Sequence, residues 1–335
     1  MASTYPRFIP LAPSLFLQAS YAVQGFIDAF AWRTVALLAF RDAKIRSSLV
    51  KSLLLNSSCL VLLYLAVDHN GLFHVRSLYR LVWILPVLAV SFYLNSSWSS
   101  QVAWRTYALQ NSNRPAMTPS TTYSGVLTAI ATSAYRAIML FNSVVLSLTL
   151  QFIPKVGPVA AFVFLCWVDA YYCFEFGWIA RGVNLSRRVR HVEERWAYHL
   201  AFGLPITAAC SFASSLTNAV VFALLFPLYI IMAMHARPIP EDPYSPLPPG
   251  LRGSDDVVRH PSPFIPIRVP IFRAVLWLND IIVRAVSVGG GRRPSRHSRT
   301  FSDGGESVEA GAQDASLASQ HANRINIGRR GKKLD

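Results

Sequence analysis

Long apolar runs constrain the fold of this chain more than any other feature of its sequence. They cover residues 53–67, 78–98, 126–153 and 159–180, and a longer apolar stretch extends over residues 200–236. A helix needs about 20 apolar residues to cross the hydrocarbon core of a bilayer. In lipid, only helices and closed barrels satisfy every backbone polar group. The runs therefore predict an all-α, multi-pass membrane protein with about four transmembrane helices.

Composition and charge agree with this class. Hydrophobic residues make up 53% of the chain and charged residues only 15%, against about 25% in a typical soluble domain. The formal net charge of +15 could indicate a nucleic-acid binder, but such a protein gathers its Lys and Arg on one soluble face. Here the cations lie between apolar runs and in the tail, as in loops that face anionic lipid headgroups. We expect the lipid bilayer, and not nucleic acid, as the partner.

Basic residues between the runs predict the orientation in the membrane. The cations before the first run and after the fourth are Arg33, Arg41, Lys44, Arg46, Lys51, Arg181, Arg187, Arg188, Arg190 and Arg195. Cytoplasmic loops carry an excess of Lys and Arg, so an even number of crossings and two cytosolic termini are predicted. Asn56, Asn95 and Asn184 begin N-x-Ser sequons, but this topology keeps them from the lumen, so none should carry glycan.

The same patterns divide the chain into regions. We predict an N-terminal amphipathic interfacial segment (1–48), a helical membrane domain (49–236), a proline-rich linker (237–269), an amphipathic interfacial helix (270–288) and a disordered basic cytosolic tail (289–335). The first assignment depends on Gln24 and Asp28, which form a polar stripe at i,i+4 spacing in an otherwise apolar segment. Such a stripe favours a helix that lies in the interface over one that spans.

The apolar stretch 200–236 is predicted to form a re-entrant helical hairpin. As one helix it would reach about 55 Å, against a hydrocarbon core of about 30 Å, and half of it is slightly short for a crossing. The sequence "SFASSLTNA" in its middle is rich in small and hydroxylic residues, which let two helices approach closely at a bend. Pro205 and Pro227 fall inside the two arms.

Three charged residues inside the runs are candidate functional charges or packing residues. Glu175 lies near the basic loop, where it is predicted to snorkel or to pair with an arginine such as Arg187. Asp169 lies deeper, and it needs a Tyr hydroxyl or an amide as partner, or it is held protonated. Arg136 is either an interfacial residue or a functional charge that faces Asp169 or an anion.

No pattern in the sequence indicates catalysis. The histidines are scattered, and no nucleophile elbow or phosphate-binding loop is present. The four cysteines lie in apolar stretches, without a CxxC pattern or a histidine at metal-ligand spacing, which favours a packing role. We expect a protein that is not an enzyme and that needs no metal or cofactor.

The C-terminal tail carries short signals. Lys332 and Lys333 stand fourth and third from the carboxylate in "KKLD", the spacing of the dilysine signal by which coat proteins return membrane proteins to the endoplasmic reticulum; such signals are addresses read by a receptor. Arginines precede Ser295 and Ser302 by two or three residues, a pattern that basophilic kinases prefer. We predict phosphorylation at these serines.

Three segments, "YYCFEFGWIARGV", "VEERWAYHLAFGLP" and "FALLFPLYIIMAMHARP", resemble the diagnostic segments of the etoposide-induced protein 2.4 family of endoplasmic-reticulum membrane proteins. The similarity covers roughly residues 75–285. The matching positions are Cys173, Phe174, Glu175, Trp178, Gly182, Glu194, Arg195, Gly203, Pro205, Phe226 and Pro227. The N-terminal part is also similar to the bacterial sulfate permeases, which share the broader fold.

The resemblance implies a fold and two functions. The fold has interfacial N-terminal segments, two long transmembrane hairpins and a partly inserted hairpin. Animal and plant members are associated with autophagy, growth suppression and an importin-beta contact, whereas bacterial relatives move sulfate. The expectation is a non-enzymatic protein of the endoplasmic-reticulum membrane that supports autophagy or membrane homeostasis, with autophagy factors, an importin-beta-type receptor or coat proteins as partners. The alternative is an anion (sulfate-like) channel or permease.

Overall fold

The computed structural model of the protein describes residues 7–68, 75–111, 123–212, 215–247 and 259–287. Most of these residues are helical, which confirms the predicted class. The helices are α1 (Leu11–Asp28), α2 (Trp32–Arg41), α3 (Ala43–Asp68), α4 (Val75–Gln110), α5 (Tyr123–Gln151), α6 (Gly157–Ala180), α7 (Leu185–Glu194), α8 (Trp196–Ala209), α9 (Ser215–His235) and α10 (Arg273–Ser287). Two short strands, β1 (Arg7–Phe8) and β2 (Arg259–His260), pair in parallel.

The four apolar runs predicted to cross the membrane fall almost entirely within α3, α4, α5 and α6, one run to each helix. This agreement follows from the solvent, because a backbone in lipid must bond to itself and a helix does so within one segment. The helix α4 has 36 residues, or about 54 Å of length. It is therefore longer than the hydrocarbon core is thick, and part of it lies outside the core.

Within the described residues, three segments are long and apolar enough to cross a membrane: Leu11–Arg41, Gly157–Ala180 and Thr217–His235. The second coincides with a predicted crossing. The third differs from the expected half-inserted arm. The predicted bend is present between α8 and α9, but it lies early in the stretch, so α8 has 14 residues and α9 has 21. By length alone α9 can cross, because the bend does not divide the stretch equally.

The first of two compact units contains residues Met1–Ala116, Leu165–Gly177 and Glu194–Val269. In this unit α1 packs along α8, while α3 packs against α4 and α9. Apolar side chains from three helices form a core between α4, α6 and α9: Ala103, Phe176, Ile230 and Met234, with Tyr107 and Phe226 packed against them. The long loop after α9 returns to α1, where the Tyr21 hydroxyl donates to the Pro246 carbonyl oxygen at 2.9 Å.

The polar stripe of α1 faces the protein. The Tyr198 hydroxyl on α8 donates to Asp28 Oδ2, and Gln24 Nε2 donates to Asp28 Oδ1 at 2.9 Å. The opposite side of α1 is apolar, since Val23 and Ile27 are more than half exposed. Gln24 and Asp28 are half-buried, so the stripe contacts a tyrosine of α8 on one side and stays partly open on the other. The interfacial position of the segment stays a prediction.

The second unit contains residues Met117–Phe164, Trp178–Glu193 and Pro270–Asp335. Here α10 packs against α5. The rings of Phe164 and Phe272 lie 6.5 Å apart, and Glu193 Oε1 accepts a hydrogen bond from the Phe272 backbone N–H at 3.2 Å. Glu193 thereby holds the segment that begins α10.

Candidate functional site

An aromatic cluster between α6 and α8 contains Phe174, a residue of the "YYCFEFGWIARGV" segment. The Phe174 ring lies 4.8 Å from the Phe202 ring and 5.1 Å from the His199 ring, both with edge-to-face geometry. The Tyr198 ring lies 6.3 Å away. Edge-to-face pairs place the positive edge of one ring on the negative face of the next. The contacts set the angle at which α8 meets α6, so Phe174 is a packing residue.

A glycine allows the same two helices to approach closely. At Gly203 on α8, an added Cβ would overlap the Cys166 carbonyl oxygen on α6. Small residues at helix crossings give lipid-embedded helices the close contact that drives their association. Pro205 lies two residues further along α8, inside the helix. The "FGLP" segment is therefore a packing element at the α6–α8 crossing.

Asp169 finds its partner at this crossing. Thr207 Oγ1 on α8 donates to Asp169 Oδ2 on α6 at 2.6 Å. A partner inside the bundle is predicted for Asp169, either a Tyr hydroxyl or an amide. The observed partner is the hydroxyl of a threonine. Cys166 and Cys173 lie nearby on α6, both fully buried. The carboxyl group is thus a hydrogen-bond acceptor that joins α6 to the first arm of the hairpin.

Arg195 anchors the loop after α9. It lies at the start of α8, where Nε donates to the Pro240 carbonyl oxygen at 2.8 Å and Nη2 donates to the Glu241 carbonyl oxygen at 2.7 Å. Burial lowers the pKa of Arg195, while Glu194, 3.8 Å away, acts to raise it. Arginine remains charged even so, because its ordinary pKa exceeds 12. The guanidinium therefore binds two backbone carbonyl groups of the loop that follows α9 and holds this loop against the start of α8.

The end of α6 has a glycine cap. Gly182 adopts a positive φ of 70°, a conformation that side chains disfavour. The Val183 N–H bonds to the Trp178 carbonyl oxygen at 2.9 Å and the Gly182 N–H bonds to the Ile179 carbonyl oxygen at 3.0 Å. This is the Schellman arrangement that ends many helices. Trp178 itself is buried, with its ring 5.3 Å from the His191 ring.

Glu175 is buried, with only 1% of its surface exposed. The snorkelling interpretation is therefore wrong, because a snorkelling side chain keeps its charged end at a surface. The mistake has a physical cause. Depth along a helix can be read from the sequence, but the face that a side chain occupies relative to other helices cannot. The ion pair to an arginine such as Arg187 stays a prediction.

Two further motif residues lie on α9, and the candidate charge Arg136 lies on α5. Phe226 on α9 packs 6.0 Å from the Phe176 ring, and Pro227 follows it inside the helix. Arg136 lies on α5 and is partly buried, and its pairing with Asp169 or an anion stays a prediction. Lys332, Lys333, Ser295 and Ser302 lie outside the described residues.

A second polar site, which the sequence analysis missed, joins α3, α4 and α9. Asn56 Nδ2 donates to Asn95 Oδ1 at 3.0 Å, and Asn95 Nδ2 donates to Asn56 Oδ1 at 2.7 Å. Ser52 donates to Asn95 at 2.8 Å, and Asn56 also donates to the Ala223 carbonyl oxygen at 3.0 Å. Both asparagines were considered only as sequons. The i,i+4 spacing of Asn56, inside an apolar run, and Ser52, directly before that run, was the available signal.

These arrangements hold helices together. Among the described residues, no group of three His, Cys, Asp or Glu side chains is placed to hold a metal ion. The hydrogen bonds at Asp169, Asn56 and Arg195 all join one helix to another or to a loop. Polar side chains inside a membrane protein serve this purpose because lipid offers them no other partner.

Comparison with known proteins finds similar sequences over the membrane domain. The sequence model described as Sulfate transporter CysZ/Etoposide-induced protein 2.4 matches residues 30–234. The chain is 32% identical over 162 residues to "Protein EI24 homolog" of Dictyostelium discoideum, a match that covers 48% of this chain and 51% of that protein. It is 26% identical over 179 residues to "Protein EI24 homolog" of Arabidopsis thaliana (48% and 56%). It is 30% identical over 157 residues to "Ectopic P granules protein 4" of Caenorhabditis elegans (47% and 49%).

The chain therefore spans about half the length of the curated relatives that it matches. No solved structure matches it significantly.

Proposed function

We propose, from the premise that this chain belongs to the sulfate transporter CysZ/etoposide-induced protein 2.4 family, that it is a non-enzymatic membrane protein of the endoplasmic reticulum that supports autophagy or membrane homeostasis. One observation carries the proposal. The motif residues Phe174, Arg195 and Gly203 all serve helix packing or loop anchoring. The segments that resemble the eukaryotic family thus stabilise the arrangement of the helices, as expected of a membrane protein that acts as a scaffold for partners.

The autophagic role is tested by complementation. Cells that lack the chain should show reduced turnover of autophagic cargo, and the wild-type chain should restore it. Glu175→Gln replaces a buried carboxyl group with an amide of the same shape, so it should lower abundance modestly and leave cargo turnover per molecule unchanged. Normal abundance with lost turnover would give Glu175 a direct role. Unchanged cargo turnover in cells without the chain would contradict the proposal.

The location is tested at the C-terminus. Lys332→Ser with Lys333→Ser, or a few residues appended after Asp335, should move a tagged protein from the endoplasmic reticulum toward the Golgi. The matched control is Arg329→Ser with Arg330→Ser, which removes the same charge from positions that the dilysine spacing does not use. A luminal tail in a protease-protection assay would contradict both the signal and the predicted topology.

The second candidate function is anion passage, which the family description favours through its sulfate transporter members. The contact between α3 and α4 is also polar, since it contains the side chains of Ser52, Asn56 and Asn95. An anion path through the membrane would need polar groups of this kind. Radiolabelled sulfate flux into proteoliposomes separates the two functions. Uptake that Arg136→Ala abolishes would replace the first proposal with the second.

A further inference from the structure

A cleft with basic walls lies between the start of α3 and the end of α4. Its volume is about 560 Å³, and it is lined by Ala43, Lys44, Ser47, Ser48, Lys51, Gln101, Trp104, Arg105 and Ala108. Residues three, four and seven apart share one face of a helix. This spacing holds for the lining residues of both helices. They are Lys44, Ser47, Ser48 and Lys51 on α3, and Gln101, Trp104, Arg105 and Ala108 on α4. Two matching helix faces therefore form the walls.

Hydrogen bonds hold the walls in place without a ligand. Ser48 Oγ donates to Gln101 Oε1 at 3.2 Å across the cleft. Asp42 Oδ1 accepts from the Lys44 and Ile45 backbone N–H groups at 2.9 and 3.0 Å, which caps α3. The other oxygen of Asp42 accepts from Arg105 Nε at 2.7 Å. These bonds fix Ser48, Gln101 and Arg105 in the walls, so this part of the cleft needs no further ordering when a ligand binds.

The charge of the cleft is positive. Lys44, Lys51 and Arg105 line it, and Asp42 neutralises at most one of them. The helix α4 contains no acidic residue, and the only other acid of α3, Asp68, lies at its far end. Arg105 uses Nε for Asp42, but a guanidinium has four further N–H donors. Two lysines, an arginine and Ser47 thus line one space, which suits a multiply charged oxyanion.

The surroundings favour an anion attached to a lipid. The cleft opens where the apolar part of α3 begins, and Phe40, Val50 and Leu54 beside it are 79%, 46% and 64% exposed. These side chains present an apolar surface suited to acyl chains. Trp104 lies in the cleft wall, and tryptophan is enriched at the level of lipid headgroups. The volume lies within the usual range for pockets that hold drug-sized molecules, which is much larger than a free phosphate or sulfate ion.

We propose that this cleft binds the phosphomonoester headgroup of an anionic phospholipid, such as a phosphoinositide, in the leaflet that contains the start of α3. The phosphate oxygens accept from Lys44, Lys51 and Arg105, the headgroup ring lies against Trp104, and the acyl chains run along the exposed apolar residues of α2 and α3. Recognition of this kind goes beyond general attraction to anionic lipid, because the hydroxyl, amide and indole groups favour one headgroup shape.

Native mass spectrometry of the whole protein in neutral detergent tests the assignment. Wild-type protein should bind one phosphatidylinositol 4-phosphate far more tightly than phosphatidylserine or phosphatidylcholine. Lys44→Gln with Lys51→Gln should weaken this binding about tenfold or more, since each basic residue near the headgroup contributes appreciably. Arg41→Gln with Arg46→Gln is the matched control, because it removes two exposed cations that do not line the cleft. The control should bind within about twofold of wild type.

Three results would overturn the assignment. Equal weakening in both double variants would show attraction to surface charge alone. Equal binding of phosphatidylserine would remove the selectivity. Displacement of the lipid by inorganic phosphate or sulfate as effectively as by soluble glycerophosphoinositol 4-phosphate would make this a small-anion site. Because a variant can lose binding through misfolding, a photoactivatable phosphoinositide is crosslinked to wild-type protein in parallel. The label should fall on residues 43–51 or 101–108, and label elsewhere counts against the cleft.

Discussion

The helix pairs α1–α8 and α3–α4 belong to one compact unit but associate by different means. Between α1 and α8 the backbones nearly touch, since a Cβ at Gly25 would overlap the Tyr198 carbonyl oxygen. Between α3 and α4 the contact is made by side chains, above all the reciprocal amide pair of Asn56 and Asn95. Apolar surface gains little from helix association in lipid, because acyl chains are equally apolar. The α1–α8 pair combines close backbone packing with the single Tyr198–Asp28 hydrogen bond, whereas the α3–α4 pair relies on a cluster of side-chain hydrogen bonds.

The largest effect is expected at the close backbone contact. Gly25→Ala should lower stability by about 1–3 kcal/mol through overpacking, although alanine is the better helix former. The overlapping atom belongs to backbone and cannot rotate away. Gly177→Ala is the matched control, since its Cβ would meet only the flexible Met234 side chain at 3.8 Å. Thermal unfolding in detergent should show a lower midpoint for Gly25→Ala alone, and equal midpoints would contradict the packing account.

A smaller effect is expected at the amide pair. Asn56→Ala removes bonds to Asn95 and to the Ala223 carbonyl, and membrane hydrogen bonds contribute about 1–2 kcal/mol at most. Ser58→Ala is the control, because that exposed hydroxyl bonds only to the Leu54 carbonyl of its own helix. A double-mutant cycle of Asn56→Ala and Asn95→Ala should show coupling of about 1 kcal/mol. Additive losses would mean that the pair does not join the helices.

The smallest effect is expected at the open end of the α3–α4 pair and depends on pH. Burial acts to raise the pKa of Asp42, but hydrogen bonds from the Ile45 N–H and Arg105, with the Arg105 charge, outweigh it and hold the pKa below its ordinary value. A carboxyl with a lowered pKa stabilises the fold fully above its unfolded pKa, near 3.9. The contribution is lost as pH falls through the folded pKa.

Asp42→Asn should therefore lower stability by about 1 kcal/mol or less at pH 7, since Arg105 is partly exposed and the cap is modest. The difference from wild type should shrink at pH 3 and should not vary between pH 6 and 8. Unfolding midpoints across this range provide the test. If the stability difference between Asp42→Asn and wild type grew as the pH fell, the pKa of Asp42 would be raised rather than lowered by folding. That result would contradict the capping role.

The positions of the helices could be predicted from the sequence because each helix satisfies its backbone within itself. Apolar length located α3 to α6, and the small residues after Ala209 located the hairpin bend. The partners of polar residues could not be predicted in this way. Asp28 bonds to Tyr198, 170 positions away, and nothing in the local pattern of α1 distinguishes that neighbour from water.

The sequence by itself determined the helices, their ends and the family. Hydropathy, proline and glycine act over one or two turns, so the Gly182 cap that ends α6 follows from local chemistry. Only the tertiary structure decided that Glu175 is buried, that Asp169 meets Thr207, and that three cations share a cleft with Trp104. The physical reason is that lipid and protein interior are equally apolar. Hydropathy therefore places a helix in the membrane but does not determine which face meets which neighbour.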